Sequence, residues 1–188
     1  MNVLIALLVL MAGAEQVHAE RFVIDSNHSL PVFEVNHLGF STQRGRFNET
    51  RGSIELDRKA GTGRVEFTIV IDSIDMGSSK WDEHMKSPDF FNAKAFPEAN
   101  FVSKSFTFKG ENPVAAEGTL TLLGVSRPLK VKIENFTCGE NSFVKKSLCA
   151  ANIEATLKRS EFGMNRFLPA ISDEVVIHLP IEAFREGS

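Results

Sequence analysis

Gly118-Thr119-Leu120-Thr121-Leu122-Leu123-Gly124-Val125, followed by Leu129-Lys130-Val131-Lys132-Ile133-Glu134, decides the fold. Both halves alternate with period two. Leu120 and Leu122 stand against Thr119 and Thr121, then Leu129, Val131 and Ile133 against Lys130, Lys132 and Glu134. Successive side chains of a strand point to opposite faces, so each half buries one face and wets the other. Leu123-Gly124-Val125 between them is a turn signal.

The same pattern extends in both directions. Phe33, Val35 and His37 share one phase, as do Ile54 and Leu56; Val65, Phe67, Ile69 and Ile71; and Val175, Ile177, Leu179 and Ile181. Segments 21–25, 100–109 and 148–158 read as strands with less clean alternation. Turn signals at residues 59–63 and 109–113 separate neighbours, and Pro180 predicts an edge or bulge near the end of the last strand. Eight or more antiparallel strands, each with one apolar face, must bury that face. Their number and length fit an all-β, antiparallel up-and-down barrel of about eight strands, wide enough for packed side chains or one small ligand.

Residues 76–99 break the alternation. Ser79 with Asp82 forms a capping-box-like start for a short helix, which places Trp81, His84 and Met85 on one face at i, i+3 and i+4. Ser87-Pro88 reads as a second helix start, and Phe90, Phe91 and Phe96 follow. Long connections in compact domains serve as lids or binding loops. The sequence expects this one at a barrel mouth, either as a ligand gate or as a plug.

The chain of 188 residues has 21 basic and 24 acidic groups and a formal charge of -3. That balance excludes a disordered tail and gives no basic footprint for nucleic acid. It holds 16 Phe, 1 Trp and no Tyr, rings without a polar handle that bury themselves or touch apolar matter. Val3 to Ala14 is apolar and uncharged, yet too short for a bilayer span of roughly 20 residues. With Val17-His18-Ala19 behind it, it reads as a signal peptide over 1–19, cleaved after Ala19, leaving 20–188 as a single domain. An exported chain meets oxidising conditions. There the pair Cys138 and Cys149 favours a disulfide closing a loop of about 12 residues, with free thiols, a metal pair or a redox pair as the alternatives.

Several ordered pieces carry a resemblance. They are Asp25-Ser26-Asn27-His28-Ser29; Phe33 through Ser41; Gly45-Arg46-Phe47 with Gly52; Ile71 through Gly77; His84 through Phe91; Phe96-Pro97-Glu98-Ala99; Phe101 through Lys104; Gly118 through Val125; and Arg159 through Met164. From about residue 21 to 183 the chain resembles the YceI-like family of bacterial polyisoprenoid-binding proteins. The resemblance implies a lipocalin-like barrel, exported to the periplasm, that holds a long amphiphilic lipid: an isoprenoid chain, a quinone tail or a fatty amide. It implies no catalytic residues and no cofactor beyond the bound lipid. The expected partner is that hydrophobic lipid, with no nucleic acid and no stable membrane anchor; transient membrane contact and a homodimer stay open.

The residues themselves supply a candidate lining: Phe33, Val35, Phe47, Phe67, Ile69, Ile71, Leu120, Leu122, Phe162 and Val175 on the strands, with His37 in phase beside them, and Trp81, Met85, Phe90 and Phe91 from the connection. Packed core is the competing role for each. An enzyme or metal protein would draw on His28, His37, His84, Asp25 and Asp89, but no H-x-H, H-E-x-x-H or G-x-S-x-G spacing joins them. A solid-core interaction module using a sheet edge is the third class.

Overall fold

The computed structural model describes residues 19–188. The expected leader, apart from Ala19, lies outside the described residues. Eleven strands follow in order: β1 (Glu20–Ile24), β2 (Val32–His37), β3 (Ser41–Phe47), β4 (Thr50–Asp57), β5 (Thr62–Val70), β6 (Ile74–Asp75), β7 (Glu98–Lys109), β8 (Asn112–Leu122), β9 (Val125–Glu140), β10 (Ser147–Lys158) and β11 (Ile171–Arg185), with one helix, α1 (Ser79–Lys86), before β7. Eight of them close a barrel in the order β1-β4-β5-β7-β8-β9-β10-β11, with β11 returning to β1. The all-β antiparallel barrel with one short helix is thus the fold that the alternation predicts. No helix among the described residues is long and apolar enough to cross a membrane.

The barrel alternates as its sequence does. Val131 and Ile133 are buried while Lys130 and Lys132 are exposed, and Lys130 pairs with Glu117 of β8 at 3.0 Å. β8 and β9 turn through Leu123-Gly124, both at positive φ.

β11 is long enough to serve two neighbours. Residues 171–178 pair with β2, and Ala183–Arg185 pair with β1. β2, β3 and β6 run on from β11 as a flange. Between the two neighbours, residues 179–182 have no ladder partner on that side, and the segment leading from β1 to β2 fills the gap with the Asp25 N–H, which donates to the Glu182 carbonyl at 2.9 Å, and with side chains. The Glu182 N–H donates to the Ser29 hydroxyl at 3.0 Å, and that hydroxyl donates to the Glu182 carbonyl at 3.1 Å. The Thr50 hydroxyl donates to the Ser29 carbonyl at 2.9 Å. Ser29 is fully buried and Thr50 nearly so. Backbone N–H groups two residues apart on a strand point the same way, so the nitrogen of Pro180 faces this same gap, where a donor would find no strand. The sequence expectation of an edge there holds.

Three local readings need correction. β3 was not expected, because Ser41-Thr42-Gln43-Arg44-Gly45 has no apolar alternation. Its inward position at Gly45 carries no side chain because the Phe33 ring of β2 occupies the space: a Cβ there would meet Phe33 at 2.5 Å and Met76 at 2.3 Å. The helix cap is Ser78 rather than Ser79, and the Asp82 carboxylate accepts the Met76 N–H at 2.6 Å instead of closing a capping box. Ser87-Pro88 begins turns, not a second helix. There the Phe90 N–H donates to the Ser87 carbonyl and the Phe91 N–H reaches back to that of Met85.

Cys138 and Cys149 lie directly opposite each other on β9 and β10 and form a disulfide. The bond braces the stem of the hairpin that ends at 141–146. Replacing both cysteines by serine is expected to lower stability by about 2–4 kcal/mol, read as a lower urea midpoint with an unchanged β-sheet circular dichroism spectrum.

At the start of the gap-filling segment, the His28 ring lies 2.7 Å from the Asp25 carboxylate. That hydrogen bond and the carboxylate charge raise the His28 pKa above 6.5. Burial pulls Asp25 up, but the bonds from His28 and the Asn27 N–H outweigh it and hold Asp25 below the usual carboxylate range. A raised histidine pKa means stabilisation that is complete below the unfolded value and lost as pH climbs through the folded one. The lowered Asp25 sets the acid limit, below which the pair is lost again. An NMR titration should place His28 above 6.5 and return it to the ordinary value in Asp25→Asn. An unshifted His28 in the unsubstituted protein would remove this pair from the account.

Candidate functional site

The interior is not filled. A cavity of about 220 Å³ lies under α1 and the turns that follow it, and a second of about 150 Å³ lies toward the disulfide end. Pro31, Ile69, Leu120 and Ile177 line both, so they form a waist between two adjoining chambers. Each chamber alone falls below the roughly 300–1,000 Å³ of common small-molecule sites, and the pair together reaches the lower end of that range.

The first chamber is built by β2, β3, β5, β7, β8, β10, β11, the connection and the loop before β11. Phe91 drops onto the flange, its ring 5.4 Å from Phe47 and 6.0 Å from Phe33, with Phe33 and Phe47 themselves 5.8 Å apart. The two contacts of Phe91 are edge-on, a geometry that adds about 0.5–1.5 kcal/mol each beyond area burial. They anchor the connection over the chamber rather than inside it. Phe90 sits beside His84 at 4.9 Å and Phe167 at 6.3 Å. Trp81, His84 and Met85 all line this chamber from the one helix face that their spacing predicts. Its polar lining residues are His37, Gln43, His84 and Arg159.

Arg159 is 4% exposed. Its Nε–H donates to the Ser172 carbonyl, one terminal nitrogen to the Met164 and Arg166 carbonyls, and the other to the Ile171 carbonyl, at 2.8–3.0 Å. Burial pulls its pKa down, with Asp173 opposing. The guanidinium is spent on backbone, so it shapes the 163–171 loop at the mouth.

The second chamber is lined by apolar residues throughout, among them Phe22, Phe67, Phe101, Val131, Ile133 and Leu179. Buried water needs polar partners, and an apolar void without them stays dry.

The sequence candidates distribute plainly over these chambers. Phe33, Val35, His37, Phe47, Ile71, Trp81, Met85, Phe90, Phe91, Leu122 and Val175 line the first, Phe67 the second, and Ile69 and Leu120 both. Phe162 is the exception. It is 3% exposed within the core cluster beneath the first chamber, on the short 3-10 turn Arg159–Phe162, and lines neither. Phase along a strand does not reach a residue on a turn, which is why its inclusion fails. Sequence reading missed Met76, Met164 and Phe167 in the first chamber and most of the second. Leu129, Val131 and Ile133 carried the signal, being in phase on β9, and Leu179 and Ile181 were in phase with Val175.

Among the described residues, His28, His37 and His84 do not converge as one ligand set. Among the described residues, one group of three potential ligands converges, Asp25, His28 and Glu182, with atoms within 4.8 Å of one another. It excludes His37, His84 and Asp89, and its bonds hold the turn that fills the β11 gap. Asp89 instead pairs with Arg166 at 3.6 Å.

Comparison with known proteins follows the same geometry. The chain is 34% identical over 174 residues to a UPF0312 protein of Shewanella denitrificans, covering 90% of each chain. Among solved structures, Burkholderia cenocepacia BcnA superposes with a TM-score of 0.73 at 22% identity, over 85% of this chain and 98% of that one. A polyisoprenoid binding domain from Saccharophagus degradans gives 0.63 at 14% identity, over 89% and 99%. The YceI-like domain family matches residues 22–183, from the second residue after the start of β1 nearly to the end of β11, and the chain belongs to that family.

Proposed function

We propose that this barrel binds a long-chain amphiphile, first among them an isoprenoid, as a non-enzymatic carrier or sequestering protein of the periplasm. The observation that carries the reading is the pair of adjoining chambers, apolar along their length and polar only at one end. An alkyl or isoprenyl chain gains about 0.8 kcal/mol per methylene removed from water. A dry void lined by Phe, Ile, Leu and Val offers that gain and nothing to a polar ligand. His37, Gln43 and His84 mark the end where a headgroup would sit, with an imidazole N–H available as donor. The similar Saccharophagus degradans domain is described as polyisoprenoid-binding; at its distance it shares the fold, and the chambers here supply the argument.

Apolar walls discriminate one chemistry from another weakly, so specificity would rest on chamber length and the width of the waist. Leu120 stands at that waist. Leu120→Trp and, separately, Ile69→Trp should abolish retention of lipid, measured by extraction and mass spectrometry of protein isolated from its exporting host. The barrel circular dichroism should stay unchanged. Unaltered lipid content in both folded variants would sink the carrier reading and favour a solid-core module. The exported protein should begin at Glu20 on N-terminal sequencing; a start at Met1 would contradict export with cleavage.

A further inference from the structure

Three large apolar side chains stand in water around the mouth of the first chamber. Phe40 is 91% exposed, Leu38 50% and Phe167 49%. They come from two loops that touch, since the Leu38 N–H donates to the Ala170 carbonyl at 2.9 Å. Both loops are continuous with the chamber: His37, just before Leu38, lines it, and so does Phe167.

The two loops are built, not loose. Leu38 and Phe167 hold φ of 57° and 62°, a region that bulky side chains avoid and that costs free energy unless something offsets it. Leu123, in the equivalent turn between β8 and β9, has φ of 52° and packs against the core. Leu38 has the same strain and leaves half its side chain in water. Its turn is fixed by the Asn36 side chain, which accepts the Gly39 N–H at 2.8 Å. The other loop is fixed by Arg159 through the Met164, Arg166 and Ile171 carbonyls. The Arg166 guanidinium lies over the Phe167 ring at 4.7 Å and pairs with Asp89, so the rim presents apolar tips without a free basic cluster at Phe167.

We propose that Leu38, Phe40 and Phe167 form a docking rim that seats in the headgroup–acyl boundary of a lipid bilayer and joins the first chamber to the acyl layer without a water gap. The function of the rim rests on the carrier reading above; its contact with the bilayer does not. A chain entering from water must expose every methylene on the way, and a seated rim removes that exposure. Because Arg166 is paired, the contact is chiefly apolar and needs no anionic lipid.

The exposed pair Phe143 and Val144, on the β9–β10 hairpin at the opposite end of β10, provides an internal control. The test uses phosphatidylcholine vesicles and three variants: Leu38→Asn, Phe40→Ser and Phe143→Ser. Asn takes the left-handed conformation readily, so Leu38→Asn should keep or raise stability while losing the docking contact. Flotation of the unsubstituted protein with vesicles should weaken by roughly tenfold or more in Leu38→Asn and Phe40→Ser, and stay unchanged in Phe143→Ser. Uptake of a polyprenol from vesicles should slow in the first two variants, while lipid held after loading from detergent stays equal. Flotation lost in Phe143→Ser instead, or no flotation of the unsubstituted protein although it retains lipid, overturns the rim and leaves the carrier. A dimer that Phe40→Ser dissolves, without vesicle binding, assigns the rim to a second copy of the chain and also overturns it. Rim-dependent flotation with no lipid held by the unsubstituted protein leaves the rim standing and removes the carrier.

Discussion

A sheet that closes on itself must find a partner for every backbone group of its wall, and here one buried donor, the Glu182 N–H, finds it in the Ser29 hydroxyl. β11 has two neighbours end to end, β2 and β1, and between them its residues 179–182 face no strand. Ser29 supplies the acceptor for the Glu182 N–H, and the Glu182 carbonyl accepts from both that hydroxyl and the Asp25 N–H. A buried backbone donor left unpaired there would cost about 1–3 kcal/mol. Pro180 removes the need for one such donor. The turn Asp25–His28 brings Ser29 to its place, and Thr50 of β4 holds it from behind. Both chambers depend on this closure, since an open seam would admit water between β1 and β2.

Inside the wall, ring size and backbone are matched strand by strand. Phe33 lies opposite Gly45, where a Cβ would meet its ring at 2.5 Å, and a Cβ at Gly118 would strike the Phe101 ring at 2.6 Å. A glycine that exposes its backbone to a neighbouring aromatic face lets the ring lie flat along the sheet rather than reach across the barrel. Rings seated over glycine in this way line the chambers from the wall. This arrangement also accounts for β3, whose inward positions Gln43, Gly45 and Phe47 hold one apolar side chain, at the end, and so show no hydrophobic period.

Period-two alternation made the barrel legible, and with it the phase of Phe33, Val35, Phe67, Ile69, Leu120, Leu122 and Val175. Phase reports which face of a strand points inward, but not how deep along the barrel a residue lies. That is why Phe67 belongs to the second chamber and Phe33 to the first, a division no spacing shows. Residues on turns escape phase altogether: Phe162 packs beneath the chamber, whereas Phe167 reaches it. Arg159 escaped for another reason. A charged residue reads as surface unless its four backbone acceptors are known, and these come from Met164, Arg166, Ile171 and Ser172, a loop folded back by tertiary contacts. The helix face of Trp81, His84 and Met85 was legible because it depends on local spacing alone. The Asp82 contact with Met76 was not, because it involves the path of the chain before the helix.

Cavities inside a barrel wall bear on its stability. Where an apolar void is enclosed, its lining forfeits roughly 24 cal/mol per Å³, a term that weighs against a net stability of only about 5–15 kcal/mol. The two ends of the barrel carry the features that offset it. Next to the second chamber the Cys138–Cys149 bond restricts the unfolded chain, and Cys149 itself lines that chamber. Next to the first, Arg159 fastens the mouth loop and the Phe33–Phe47–Phe91 cluster fastens the connection. Neither brace occupies the chamber it supports. A chain seated in the void would recover the missing contacts, so occupancy should stabilise the fold in proportion to the length buried, and the braces let the wall persist in its absence.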